Sequence, residues 1–214
     1  GVNLIGRPAQ DPKPDAPIAL IGAHYDTRRR ADRDPDPARR SEPVPGANDG
    51  ASGVAVLLEL ARVIDLSQSP YRVRLAFFDA EDNGQLDGWE FIAGSTYMAR
   101  QLTPEDRPSL VIVVDMIGDA DQQIYMERNS DPELQETLWR IASQLGYGEF
   151  FIPQLKWSIL DDHTPFLQAG IPAGDIIDFD YPYWHTVEDT CDKLSAESLE
   201  RVGRTVEAFL EGKD

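Results

Sequence analysis

Four short apolar runs constrain this chain most, because each closes on acids or histidine: IALIGAHYD (18–26), VRLAFFDAED (73–82), LVIVVDMIGD (110–119) and AGDIIDFD (173–180). Their length and β-branched content read as strands, and the near-continuous apolarity of LVIVVD fits a sheet covered on both faces. Between them, residues 51–65, 90–101, 131–145 and 195–212 have helical periodicity, the last opening on SAES with a serine cap. Strands alternating with helices predict an α/β fold with a mostly parallel, mixed central sheet and helices on both faces. Residues 27–46, rich in Arg, Asp and Pro and without periodicity, read as an exposed loop, with a lid as the alternative.

At 214 residues the chain suits a single domain, 1–214, with a continuous core. No apolar run approaches the ~18 residues of a membrane span. The opening GVNLIGRP reads as the middle of a strand, so a leader or an N-terminal helix is expected to have been lost before it. A net charge of -18 argues against nucleic acid, which needs a basic footprint. Solvated surface accounts for most of that charge, and a carboxylate-rich metal site for some. The single cysteine, Cys191, precludes an internal disulfide and reads as a half-buried filler rather than a nucleophile.

In open α/β sheets, ligands bind beyond the carboxyl ends of the strands. The polar residues there are His24 and Asp26, then Asp79, Glu81 and Asp82, then Asp115, then Asp180 and His185. Asp49 lies in GANDGASG, the Gly-rich turn that opens the helix at 51–65. A lone strand-end aspartate is a cap or a turn former. Two histidines and several carboxylates gathered at one edge are costly without a cation, and imidazole with carboxylate suits zinc.

GAHYDT, GANDGASGVAVLLELAR, FFDAED, VVDMIG, DDHTPFL and YWHTVEDT occur in the order found in the zinc aminopeptidase and glutaminyl cyclase superfamily. The resemblance runs from about residue 18 to the C-terminus, and it implies a zinc aminopeptidase-like fold. It also implies that Asp49, Asp82 and His185 bind one Zn2+, with Glu81 as the acid/base. Asp82 departs from the family pattern, which more often has glutamate, one methylene longer. His24 and Asp115 match positions that hold a second zinc in two-metal relatives. Asp26 is then expected to fix the His24 tautomer, an ordinary turn residue being the alternative. A cis peptide bond after Asp49 is also implied.

Two chemistries share this set. In an aminopeptidase, zinc-bound water attacks the peptide carbonyl; in a glutaminyl cyclase, the substrate's own amine attacks its side-chain amide, with loss of ammonia. The resemblance leans to the cyclase, because Trp184 beside His185 looks like a pocket wall and Asp161 falls where cyclases pair an acid with the Asp115 equivalent. The bland readings are core packing for Trp184, helix capping for Asp161 and Asp162, and a structural role for His163. Asp175, where animal cyclases carry a histidine, speaks against it. Tyr181 and Tyr183 are expected to line the approach. The implied partners are peptide or protein N-termini, with no nucleic acid or membrane, and an extracytoplasmic location. A non-catalytic binding module is the third reading.

Overall fold

The computed structural model describes residues 1–9 and 11–213. Strands β2 (Ile18–His24), β4 (Leu110–Asp115) and β7 (Ala173–Ile177) are buried along their whole length. Such strands need cover on both sides, and they have it. With β3 (Arg72–Phe78) and the edge strand β1 (Leu4–Gly6) they form a sheet of order β1-β3-β2-β4-β7. All neighbours are parallel except β1 and β3, so the sheet is mixed as expected.

Alternation along each strand sorts side chains between two cores. Ile21, Leu75, Ile112 and Ile176 pack with Leu57 of α1 (Ala51–Val63), Leu138 of α3 (Pro132–Gln144) and Val206 of α5 (Ala196–Leu210). Leu20, Phe78, Val111 and Val113 face the other way, toward Phe166 of α4 (Thr164–Gln168) and Met98 of α2 (Ala93–Gln101). The predicted serine cap of α5 is present, Ser195 Oγ accepting from the Ser198 N–H at 3.2 Å. Among the described residues no helix is long and apolar enough to cross a membrane.

The expected strands run too far. They stop at His24, Phe78, Asp115 and Ile177, two to four residues short of the expected ends. The helix predicted over 90–101 starts at Ala93, since Ile92 takes a left-handed φ of 52°. The 27–46 loop is not simply exposed: Arg28, Ala31, Asp34 and Val44 are buried, and Ala31 and Val44 pack on Val187. Short β5 (Ile124–Met126) and β6 (Phe151–Leu155) pair with each other and lie outside the expected set.

The chain reverses direction across β2: α1 leads to β3 on one side, and the next crossover returns to β4 on the other. This opens a crevice at the carboxyl ends of β2, β3 and β4, the usual ligand position in such sheets. Helix α1 lies tight against it, since a Cβ on Gly53 would stand 2.4 Å from the Val114 carbonyl oxygen and 2.8 Å from Ala23 Cβ. Gly53→Ala is therefore expected to lower stability by about 1–3 kcal/mol through overpacking. A urea midpoint equal to that of the parent chain would refute this close contact.

Candidate metal centre and active site

Register builds the first half of the site. Gly22 of β2 pairs with Val113 of β4, and two residues on lie His24 and Asp115. His24 Nε2 reaches Asp115 Oδ1 and Asp49 Oδ1, each at 3.1 Å. The second half forms around His185, whose Nε2 stands 2.7 Å from Asp82 Oδ1 and 3.5 Å from Asp49 Oδ2. Asp49 thus directs one oxygen to each histidine. The groups His24–Asp49–Asp115 and Asp49–Asp82–His185 each bring their donor atoms within 4.8 Å of one another, and all five residues are buried.

Several backbone devices aim these side chains. Ala80, Met116 and His185 take left-handed φ angles of 56°, 45° and 57°. That conformation is costly for residues other than glycine, and such strain clusters at functional sites. Among the described residues there is no cis peptide bond, which corrects the expectation for the bond after Asp49. The turn there is made by Gly50 at φ 104°, where a Cβ would meet the Asp26 carbonyl oxygen at 2.7 Å.

Asp26 behaves differently from its expected role. His24 Nδ1–H donates to the backbone carbonyl of Asp26 at 3.1 Å, while the Asp26 carboxylate lies 3.8 Å from the ring. A carbonyl can only accept, so Nε2 is the nitrogen that faces the carboxylates, the one that would offer its lone pair to a cation in place of a proton. The Asp26 carboxylate instead accepts from the backbone N–H of Glu81 (2.9 Å) and Asp82 (3.3 Å). It therefore shapes the loop after β3 that presents both acids.

Asp189 does the same for the turn before α1, accepting from the N–H of Asn48 (2.8 Å) and Asp49 (3.1 Å). Tyr181, expected at the approach, is buried beneath it and donates its hydroxyl to Asp189 at 2.8 Å. Tyr183 is half-buried, its ring 5.5 Å from that of Tyr181. Asp189 is invisible as a functional residue in the sequence, and Tyr181 carries there only the expectation of lining the approach; the one signal for their joint role is their presence in the aromatic and acidic stretch around His185. Arg28 was likewise missed. Buried, it donates to the carbonyls of Asp82 (2.6 Å) and Gly84 (3.2 Å) while pairing with Asp32 at 2.7 Å.

The electrostatics are those of a site with surplus negative charge. Burial pushes Glu81 and Asp82 well above the usual carboxylate range, and neighbouring acids push them further. Burial raises Asp115 to about 7 against the attraction of His24. Burial alone would lower His24, but Asp115, Asp26 and Asp49 outweigh it and hold the imidazole well above its ordinary value. His185 goes the other way, lowered to about 4 mainly by burial, and so stays neutral. Oδ2 of Asp49 and Oδ2 of Asp82 are buried without a hydrogen-bond partner. Unsatisfied carboxylate oxygens converging with neutral imidazole are the donor set a divalent cation fits.

The remaining expected residues divide. Glu81, Asp115, Asp161 and Trp184 line one cavity of about 350 Å³ with the candidate donors Asp49, Asp82 and His185. The Trp184 and His185 rings lie 3.9 Å apart, and Phe179 packs on Trp184 at 5.2 Å. Neither Asp161 nor Asp162 caps α4 with its side chain; the Asp161 carboxylate accepts from the Asp162 N–H. His163 is wholly buried outside both donor sets, 3.4 Å from Glu127 and 3.8 Å from Asp175. Asp79 and Asp180 stand apart, the first holding the Val2 N–H and the second paired with Lys156. A groove between α1 and α5 has similar volume, about 390 Å³, but holds no histidine. Its acids Glu59, Glu200 and Glu207 are paired with Arg62 and Arg204, the latter reaching two of them.

Because Asp189 fixes the turn that carries the shared carboxylate, Asp189→Ala is expected to weaken Zn2+ binding about 10- to 100-fold. Competition with a chromophoric chelator measures this, and unaltered affinity would remove Asp189 from the support of the site.

The peptidase family M28 profile matches residues 3–210. Aminopeptidase YwaD of Bacillus subtilis is 30% identical over 221 residues, which cover 96% of this chain and 43% of that protein. The chain spans about half the length of the curated relatives it matches. Glutaminyl cyclase of Bacteroides thetaiotaomicron, solved with N-acetylhistamine, superposes with a TM-score of 0.88 at 34% identity, covering 99% of this chain and 77% of that one. A Zn-dependent exopeptidase of Parabacteroides distasonis gives a TM-score of 0.86 at 32% identity, covering 98% and 77%. With the α/β sheet, the paired donor sets and this match across nearly its whole length, the chain belongs to peptidase family M28.

Proposed function

We propose that this chain is a zinc-dependent glutaminyl-peptide cyclotransferase, converting N-terminal glutamine to pyroglutamate with release of ammonia. One observation carries the choice: the indole of Trp184 lies 3.9 Å from the His185 ring and is backed by Phe179, forming a flat apolar wall against the donor set. Such a wall suits the methylenes of a glutamine folded on itself, and a pre-folded substrate supplies much of the rate of an intramolecular reaction. The glutaminyl cyclase of Bacteroides thetaiotaomicron at 34% identity supports the reading.

In this reading Asp49, Asp82 and His185 hold the zinc ion. When bound, it polarises the side-chain amide carbonyl of the substrate. Glu81 takes a proton from the attacking α-amine and delivers it to the departing ammonia as the new C–N bond forms and the old one breaks. Its burial raises its affinity for that proton, as a shuttle operating near neutrality requires. Asp115 and Asp161, on the same cavity wall, receive the substrate amine. Arg28 neutralises Asp32 and supports the Asp82 backbone, keeping the loop rigid during the transfer.

A second reading, aminopeptidase, is favoured by one specific feature. His24 and Asp115 complete a second donor group that shares Asp49, the arrangement a two-metal hydrolase uses. The 30% identity to aminopeptidase YwaD points the same way.

Incubation with a Gln-initiated peptide and zinc, followed by mass spectrometry, separates the two. Loss of ammonia from an intact chain is expected; release of free glutamine would replace the cyclase by the hydrolase. Glu81→Gln should retain zinc and lose at least about 100-fold in turnover, the scale of general acid–base catalysis. Unchanged turnover in that variant would exclude Glu81 from proton transfer.

A further inference from the structure

The arginine-rich loop over residues 27–46 contains six arginines, and five are committed to polar partners. Arg28 binds Asp32, and Arg29 and Arg30 both reach Asp87 at 3.2 Å. Arg39 pairs with Glu188 at 2.7 Å, and Arg40 donates to the Asp34 carbonyl at 2.7 Å. Arg33 differs. Its side chain is exposed at the mouth of the catalytic cavity and pairs with no carboxylate among the described residues. Its guanidinium rests 5.1 Å from the centroid of the Trp184 ring.

The backbone that carries Arg33 is nonetheless held from several directions. Its own N–H donates to the His185 carbonyl at 3.3 Å. On one side, Asp32 is tied to Arg28. On the other, the buried Asp34 carboxylate accepts from the Val187 N–H at 3.2 Å. An uncommitted cation on a fixed backbone, stacked on the face of an aromatic wall, is a prepared anion receptor, because a planar guanidinium binds carboxylate in two-point fashion. Every other charged group on the cavity lining is an acid, apart from Arg28, which Asp32 already neutralises.

We propose that Arg33 determines specificity by receiving a carboxylate on the residue that follows the substrate's N-terminal residue. The assignment rests on the reading of Trp184 as the wall for that first residue, so the next residue leaves the cavity past Arg33. The carboxylate has two sources: an acidic side chain at the second position, or the free C-terminus of a dipeptide. The net charge of -18 opposes either at long range. That field is screened beyond about 8–10 Å at physiological ionic strength, so the local cation decides at the rim.

The test uses matched substrates: Gln-Glu-Ala-amide against Gln-Gln-Ala-amide for the side chain, and Gln-Ala acid against Gln-Ala amide for the terminus. Values of kcat/KM are read from whichever product forms, ammonia loss or free amino acid, with the zinc-loaded protein. Dissociation constants for the same peptides are read by calorimetry on the Glu81→Gln protein, without turnover. The carboxylate member of at least one pair is expected to lead about three- to five-fold, the range of an exposed charge pair. The lead should shrink in about 0.5 M salt, vanish in Arg33→Gln and partly survive in Arg33→Lys. Which pair shows it identifies the source. A ratio of one or below in both pairs, or a lead that persists in Arg33→Gln, overturns the proposal. Hydrolysis in place of cyclisation overturns the cyclase reading alone, since the ratio still reports on Arg33.

Discussion

The concentration of buried carboxylate at one sheet edge governs the rest of this structure. Asp49, Glu81, Asp82, Asp115 and Asp161 are all removed from water around His24 and His185. Taking that much negative charge out of solvent is unfavourable unless protons or a cation compensate it. The upward displacement of Glu81, Asp82 and Asp115 is the signature of a centre that, without a cation, recruits protons. A divalent ion held by Asp49, Asp82 and His185 would supply that compensation in place of protons. The surplus would thus favour uptake of a cation.

Holding such a cluster together requires rigid loops, and the fold supplies them with further acids. The Asp26 carboxylate gathers the N–H groups of Glu81 and Asp82, Asp189 gathers those of Asn48 and Asp49, and Asp34 secures Val187 next to the His185 loop. Each satisfies backbone donors that the irregular connections leave open. The chain's acidity is therefore partly architectural. Arg28 works from the opposite sign, clamping two carbonyls of the loop after β3.

The candidate donor residues suit either of the two chemistries weighed for this chain, so a choice between them would have to come from what surrounds the donors. The Trp184–His185 stack narrows the cavity on one side, and the 27–46 loop builds its outer edge. The Asp82 oxygen stands 2.7 Å from His185 Nε2, and Arg28 and Asp26 hold the backbone of this loop by its carbonyl and its N–H.

Local pattern alone disclosed much of this protein. Apolar β-branched runs ending on acids identified four of the five strands of the main sheet, and 3.6-residue periodicity identified four of the five α-helices, because both repeats are local consequences of burying one face; α4, five residues long, is too short to show a period. The resemblance of six motifs pointed to Asp49, Asp82, His185, Glu81, His24 and Asp115, which the structure gathers around one crevice. What the sequence could not disclose is the support. Asp189 stands 140 positions from the Asp49 N–H it accepts from, and Arg28 stands 54 positions from the Asp82 carbonyl it binds. Such contacts leave no periodic trace, so an apparently featureless arginine-rich loop turned out to form the rim. Nor could it show that Gly50, through φ rather than a cis bond, makes the turn before α1. The residue types were settled by sequence; which acids bind, which brace and which cation stays free was decided only when the chain closed on itself, because long-range hydrogen bonding exists only in the folded geometry.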